Sequence, residues 1–206
     1  MATAFRRKGS RVVGRMDVHE RELVVSLLQQ TRELLGGDDH AGTGDPLQDL
    51  LGSLGAEPLD PEEVAGRDPA LQRLLPPASR DDERMAADFR AMTEGHLRQQ
   101  KTATLATAIV ALGGDPGAAP GADLEDRRGD TVELDLGQAQ SLMRALTDVR
   151  LVLAERLELR TDEDSEQLHA MLEDAEDIED PRMLLAAYYD FLTWLQESVT
   201  LAIMRR

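Results

Sequence analysis

Residues 131–160 read TVELDLGQAQSLMRALTDVRLVLAERLELR. The first six residues alternate between polar and apolar side chains, which predicts a half-buried strand over 131–136. From residue 138 onward the apolar side chains recur every three to four residues, as they do on one face of a helix. Leucines and valines also occupy the neighbouring faces of 138–160. Because a helix that is apolar on several sides is typically buried, we expect 138–160 to be the central helix of the fold.

Helices are also predicted before this stretch, from their capping residues. Asp17 and Glu20 form a capping-box pattern that opens a helix ending before Gly36-Gly37. Three Asp-Pro pairs place aspartate at the N-cap and proline at the first helical position. These pairs predict short helices near 46–54, 61–65 and 69–75.

A long helix is predicted from Ser79 to Gly113-Gly114, and two more follow the central helix. A short helix is expected near 164–174, and the last one begins at Asp180-Pro181. The buried face of the long helix is predicted to carry Met85, Phe89, Met92, His96, Ala103, Ala106 and Val110, and Leu97, Leu105 and Leu112 are expected to widen it.

The N-terminal residues 5–16 predict a short hairpin that turns at Lys8-Gly9-Ser10. Its basic side chains face two acidic ones in the predicted strand, Glu133 and Asp135, and such cross-strand pairs stabilise a sheet modestly. We therefore expect a small antiparallel sheet that joins the hairpin to 131–136. Phosphate binding by the hairpin is the less favoured alternative. The basic residues concerned are Arg6, Arg7, Lys8, Arg11 and Arg15.

Composition favours a mostly α fold, a helical bundle-like domain with this small antiparallel β element. Hydrophobic residues make up 41% of the 206 residues and aromatic residues only 3%, so leucine and alanine must fill the core. The length suits a single domain over 1–206. Residues 113–130 are rich in Gly, Pro and Ala, and we expect a disordered loop there that folding does not require.

The charge and the missing residue types exclude several functions. The net charge is −17, and because residues 1–15 hold five basic side chains and no acidic one, the rest of the chain carries −22. So negative a surface repels phosphates and disfavours direct nucleic-acid binding. The chain has no cysteine, which excludes disulfides and thiol redox switches. No apolar run is long enough to cross a membrane, so we expect a cytoplasmic protein without a membrane partner.

No cofactor, metal or catalytic set emerges from the motifs, and we therefore do not expect an enzyme. Residues 162–173 place acids at calcium-loop spacing, but Gln167 stands where the sharp turn needs glycine, so an acidic helix is favoured. His169 and Glu173 are four residues apart and suit a transition metal, but a third ligand is not evident.

The last predicted helix carries four of the six aromatic residues. Tyr188, Phe191 and Leu195 share one face, which Tyr189 and Trp194 do not fit. Two interpretations stay open, a core helix packed on two sides and a partly exposed patch that binds a partner. Tyr189 and Trp194 are the candidate partner-binding residues, because Tyr and Trp often anchor protein interfaces.

The segments 145–160 and 188–199, together with the opening Phe5-Arg6-Arg7, resemble an actinobacterial family, domain of unknown function 2017 (DUF2017). The resemblance implies a helical cytoplasmic protein. It also implies genes beside a Clp protease adaptor and sulfur-assimilation genes. Some members are described as oxidative-stress transcriptional regulators that work with an alternative sigma factor through a close cysteine pair. This chain departs from that pattern because it has no cysteine.

The sequence thus predicts a non-enzymatic regulatory protein. Its expected action is control of oxidative-stress or sulfur-metabolism transcription, through contact with a sigma factor or RNA polymerase. The alternative is an acidic helical scaffold or oligomer with no regulatory role, and a homodimer is compatible with either.

Overall fold

The computed structural model describes residues 2–36, 66–76, 83–122, 124, 129–173 and 180–205. It confirms a mostly helical fold with a small three-stranded antiparallel sheet. The short helices predicted near 46–54 and 61–65 lie outside the described residues. In chain order the elements are β1 (Thr3–Lys8), β2 (Arg11–Arg15), α1 (Val18–Leu34), α2 (Pro69–Leu74), α3 (Glu83–Ala111), β3 (Thr131–Leu134), α4 (Leu136–Arg156), α5 (Asp162–Glu173) and α6 (Pro181–Met204).

The sheet joins the N-terminal hairpin to the later strand, as predicted, with β2 between β1 and β3. Val12 lies opposite Leu134, and both side chains face the core. The strand ends at Leu134 rather than at 136. Asp135 instead caps α4, since its carboxylate accepts a hydrogen bond from the Gln138 backbone N–H at 2.8 Å. The Gln138 side chain accepts one from the Asp135 N–H in return at 2.9 Å.

The central position predicted for 138–160 is confirmed, with shifted ends. Helix α4 begins two residues earlier and ends at Arg156. It packs against α1, α2, α3, α6 and the sheet. Leu142, Leu146 and Leu153 are buried along its length. The other elements therefore assemble around this helix.

The helix predicted near 69–75 is confirmed as α2, capped by Asp68, and two further capping predictions are confirmed. Asp17 accepts a hydrogen bond from the Glu20 N–H, and the Glu20 side chain accepts one from the Asp17 N–H, which completes the capping box of α1. Asp180 caps α6 ahead of Pro181 by accepting from the Arg182 N–H at 2.9 Å. Both signals are local, so they do not depend on the rest of the fold.

The predicted buried face of α3 is wrong along its centre, whereas Leu105 and Leu112, expected to widen that face, are buried. Phe89 and Met92 are each 48% exposed, and Val110 is 51% exposed. His96, expected to pack against the core, is exposed as well. The helix instead buries the next face, because that face meets α1 and α4. The buried residues there are Arg98, Thr102, Leu105, Ala108, Ile109 and Leu112.

The first part of 113–130, which follows α3, makes more contacts than we expected of a disordered loop. Residues 113–122 form turns held against α1, where Gln29 donates to the Asp115 carbonyl at 2.9 Å and Arg32 to the Pro116 carbonyl at 3.0 Å. Gly114 packs so closely on Val25 that an added Cβ would lie 2.7 Å from its methyl carbon. Part of 113–130 is thus fastened to the fold, and its mobility remains a prediction.

The substitution Gly14→Ala is expected to destabilise the protein by about 1–3 kcal/mol, through overpacking. The Phe5 ring lies over Gly14, and a Cβ there would sit 2.8 Å from two ring carbons. Phe5 is 3% exposed, so the surrounding residues leave its ring little space to shift away from an added methyl group. Urea unfolding would measure the change, with Gly9→Asn as the control, since asparagine tolerates the left-handed conformation of the open turn at Gly9. Unchanged stability of Gly14→Ala would contradict this packing.

Candidate protein-binding groove

Helix α6 is apolar on two sides, and only one of them faces the core. Leu192, Leu195 and Val199 are fully buried on the inner side. On the outer side Trp194, Leu201 and Met204 are 37%, 52% and 72% exposed. Large apolar side chains that recur on an exposed face commonly mark an interaction surface.

The N-terminal half of this outer side forms the floor of a groove of about 420 Å³. Leu172 of α5 forms one wall, and Ala2 and Glu20 from the start of the chain form part of the lining. The floor consists of Ala187, Asp190, Phe191 and Trp194. We call this depression the α5–α6 groove. Most of its lining surface is apolar, which suits the burial of an apolar side chain from a partner.

The structure places the two predicted partner-binding residues in different surroundings. Trp194 lines the groove, and its ring stacks on Phe191 with 6.1 Å between ring centroids. Tyr189 does not line it. The Arg150 guanidinium lies 5.1 Å from the Tyr189 ring centroid and donates to its hydroxyl at 3.3 Å. The Tyr189 side chain therefore contacts Arg150 within the protein itself. Trp194 is the better candidate for a residue that anchors a binding partner.

Carboxylates line the groove beside the aromatic rings. Glu20 accepts hydrogen bonds from the backbone N–H groups of Ala2 at 2.6 Å and Asp17 at 2.9 Å, which fixes the N-terminal residues against α1. Asp190 lies 3.1 Å from the His169 ring and is about half exposed. The groove thus combines apolar and aromatic side chains with two carboxylates, a combination suited to a cationic and apolar segment.

A smaller depression of about 300 Å³ adjoins the groove and shares Leu172 and Asp190 with it. His169 and Tyr189 line this second depression. His169 contacts Asp190, and within the described part of the chain no group of three or more potential metal ligands converges. The stretch 162–173, which has calcium-loop spacing, forms the helix α5, so its backbone does not wrap around an ion.

The basic hairpin presents a second charged surface. Arg6, Arg11 and Arg15 are exposed, and Arg15 forms an ion pair with Asp130 at 3.1 Å. The predicted pairing with Glu133 and Asp135 is wrong within the described residues. Glu133 lies opposite Val13, and the Asp135 side chain caps α4.

Arg7 of the hairpin turns toward α6. Its guanidinium donates to the Gly9 carbonyl at 3.1 Å and to the Ile203 carbonyl at 3.5 Å. The hairpin is thereby fastened to the C-terminal end of α6. The basic side chains of the hairpin remain largely exposed to solvent.

Sequence patterns did not reveal most of the groove lining. Glu20 was recognised only as a capping residue, and Leu172 was not singled out as a site residue. These residues come from α1 and α5, which are far apart in sequence, so no local signal brings them together. The aromatic cluster of α6 was the one visible signal.

The fold and the groove define a mostly helical protein with a small sheet and an acidic, aromatic surface groove. None of the helices in the described ranges combines the length and hydropathy needed to cross a membrane. The chain belongs to the family described as Domain of unknown function (DUF2017), whose model matches residues 2–203. No curated protein matches the chain, and no solved structure does.

Proposed function

We propose that this protein is a non-enzymatic cytoplasmic regulator that binds a basic protein partner in the α5–α6 groove. The observation that carries the proposal is Trp194, an aromatic side chain 37% exposed in an apolar groove lined by Glu20 and Asp190. Tryptophan is among the residues that contribute most to protein interfaces. The groove sits on a chain that carries −22 beyond residue 15, which speeds encounter with a positively charged partner.

The partner segment that fits this groove carries apolar side chains flanked by lysine or arginine. The apolar residues cover Phe191 and Trp194, and the cations approach Asp190 and Glu20. A sigma factor or an RNA polymerase face is the partner we propose, following the resemblance to regulators of oxidative-stress or sulfur-metabolism transcription. The signal must differ from the cysteine pair of those regulators, because this chain has no cysteine.

A second candidate function is an acidic scaffold that associates with itself. Leu201 and Met204 favour it, because they extend the apolar outer face of α6 beyond the groove. A second copy pairing along this face would cover Trp194 as well. The two functions predict different binding partners for the purified protein. The regulator would bind a different, basic protein, whereas the scaffold would bind only further copies of the same chain.

We expect Trp194→Ala to weaken partner binding by roughly 30-fold or more, as loss of an interface anchor does. The tagged protein is used to capture partners from native cytosol, which are identified by mass spectrometry. The affinity of the purified partner is then measured for each variant. Val110→Ala serves as the control, because Val110 is an exposed apolar residue that does not line the groove.

Sigma-factor or polymerase peptides that are lost with Trp194→Ala and kept with Val110→Ala support the regulatory function. Capture of only the same chain supports the scaffold. An equal loss of partner binding in Trp194→Ala and Val110→Ala contradicts a role for the α5–α6 groove. Thermal melts of the variants show that each is folded.

Direct DNA binding is expected to be weak and sensitive to salt, because the acidic surface opposes a phosphate backbone. A gel shift at about 150 mM salt is expected to show no specific complex, whereas specific binders reach about 10⁻⁸ M under such conditions. A tight, sequence-specific complex that is lost with Arg6→Gln and Arg11→Gln would move the functional site to the hairpin.

A further inference from the structure

A second concavity, of about 380 Å³, lies between α3 and α4 and shares no lining residue with the α5–α6 groove. Helix α3 contributes Gln100, Lys101 and Thr104, and helix α4 contributes Arg144 and Asp148. Residues three or four apart lie on one helix face, so each helix presents its polar side chains to the same space. We call this concavity the α3–α4 pocket.

The pocket holds a largely buried ion pair. The Lys101 ammonium lies 2.5 Å from an Asp148 carboxylate oxygen, and Asp148 is 5% exposed. Burial raises the pKa of Asp148 even though the hydrogen bond from Lys101 opposes that rise. Desolvated charges that line a cleft are typical of functional sites.

Lys101 retains capacity to bind a ligand. An ammonium group has three N–H donors, and within the described residues its one hydrogen bond goes to Asp148. The Lys101 side chain is 20% exposed in the pocket that it lines. Asp148 thus holds the ammonium at the pocket wall, with donors left over.

A second cation lines the same pocket. Arg144 is exposed, and among the described residues it forms no ion pair, although Asp148 is only four residues away on the helix. Because Lys101 and Asp148 neutralise each other, Arg144 leaves the pocket with an excess positive charge. A positive pocket in a chain of net charge −17 stands out against its surroundings.

We propose that the α3–α4 pocket binds a small oxyanion, the phosphate or carboxylate group of a small molecule, between Lys101 and Arg144. The arginine presents paired N–H donors that match two oxygens of such a group. The lysine adds a point charge whose position Asp148 fixes. This site is independent of the proposed function of the groove.

The experiment titrates the full chain with inorganic phosphate and, separately, with succinate, by isothermal calorimetry at constant ionic strength. Saturable binding of one copy of either anion, with a Kd below about 10 mM, is expected for the native protein. The two titrations distinguish a phosphate ligand from a carboxylate ligand. Absence of saturable binding for both anions overturns the proposal.

Arg144→Gln is expected to weaken binding at least 10-fold, since it removes the exposed cation while leaving Lys101 and Asp148 in place. Arg205→Gln is the matched control, because Arg205 is also exposed and does not line the pocket. An equal loss in both variants would show non-specific charge attraction and overturn the site. Retained affinity in Arg144→Gln would overturn it too.

Discussion

Leu153→Ala is expected to destabilise the protein by about 2–5 kcal/mol, the range found when a buried leucine is truncated. Leu153 is 4% exposed and belongs to the main hydrophobic cluster, on the helix α4 that most other elements contact. The surrounding helices are fixed by their own packing, so the cavity cannot close easily. The loss should therefore include a cavity contribution as well as the lost transfer energy.

Urea unfolding measures this change. Leu201→Ala is the matched control, because Leu201 has the same side chain but is 52% exposed on α6. The control is expected to change stability by no more than about 0.5 kcal/mol. A change below about 1 kcal/mol in Leu153→Ala would mean that α4 is not the centre of the core.

Lys101→Met is expected to destabilise the protein by about 3–5 kcal/mol, because it leaves a buried carboxylate without its partner. Asp148 is 5% exposed, so water cannot readily replace the lost ammonium. The replacement keeps most of the aliphatic length of lysine, which limits the loss of packing. The expected loss therefore comes mainly from the unpaired charge.

The pH dependence of Lys101→Met gives a second test. Burial raises the pKa of Asp148, so the folded state binds this proton more tightly than the unfolded state does. The contribution of Asp148 to stability is therefore greatest at low pH and is lost as pH rises through its raised pKa. We expect the penalty of Lys101→Met to be larger at pH 7 than at about pH 4.

The double variant Lys101→Met with Asp148→Leu separates charge from packing. Replacing both members of a buried pair by apolar residues is often close to neutral, so the double variant should regain most of the stability. If it is as unstable as Lys101→Met alone, packing rather than the unpaired carboxylate explains the loss.

The candidate site was only partly visible in the sequence. The aromatic cluster of α6 pointed to Trp194, but Tyr189 carried the same signal and proved to be held by Arg150. Lys101 and Asp148 are 47 residues apart and were not recognised. Asp148, set among apolar residues of the predicted central helix, was the available hint, since a buried carboxylate needs a partner.

The sequence by itself determined those features that depend only on contacts between neighbouring residues. The capping box of Asp17 and Glu20, the Asp180-Pro181 helix start and the hairpin turn at Gly9 all form from contacts within a few residues. The sequence also predicted correctly that 138–160 is apolar on several faces, because that property depends only on helical periodicity.

The tertiary structure alone decided which of several possible faces was buried. Helix α3 carries apolar residues on more than one side, and its packing against α1 and α4 left Phe89 and Met92 exposed. Such choices depend on the total burial and hydrogen bonding of elements that are distant in sequence, and local periodicity does not contain that information.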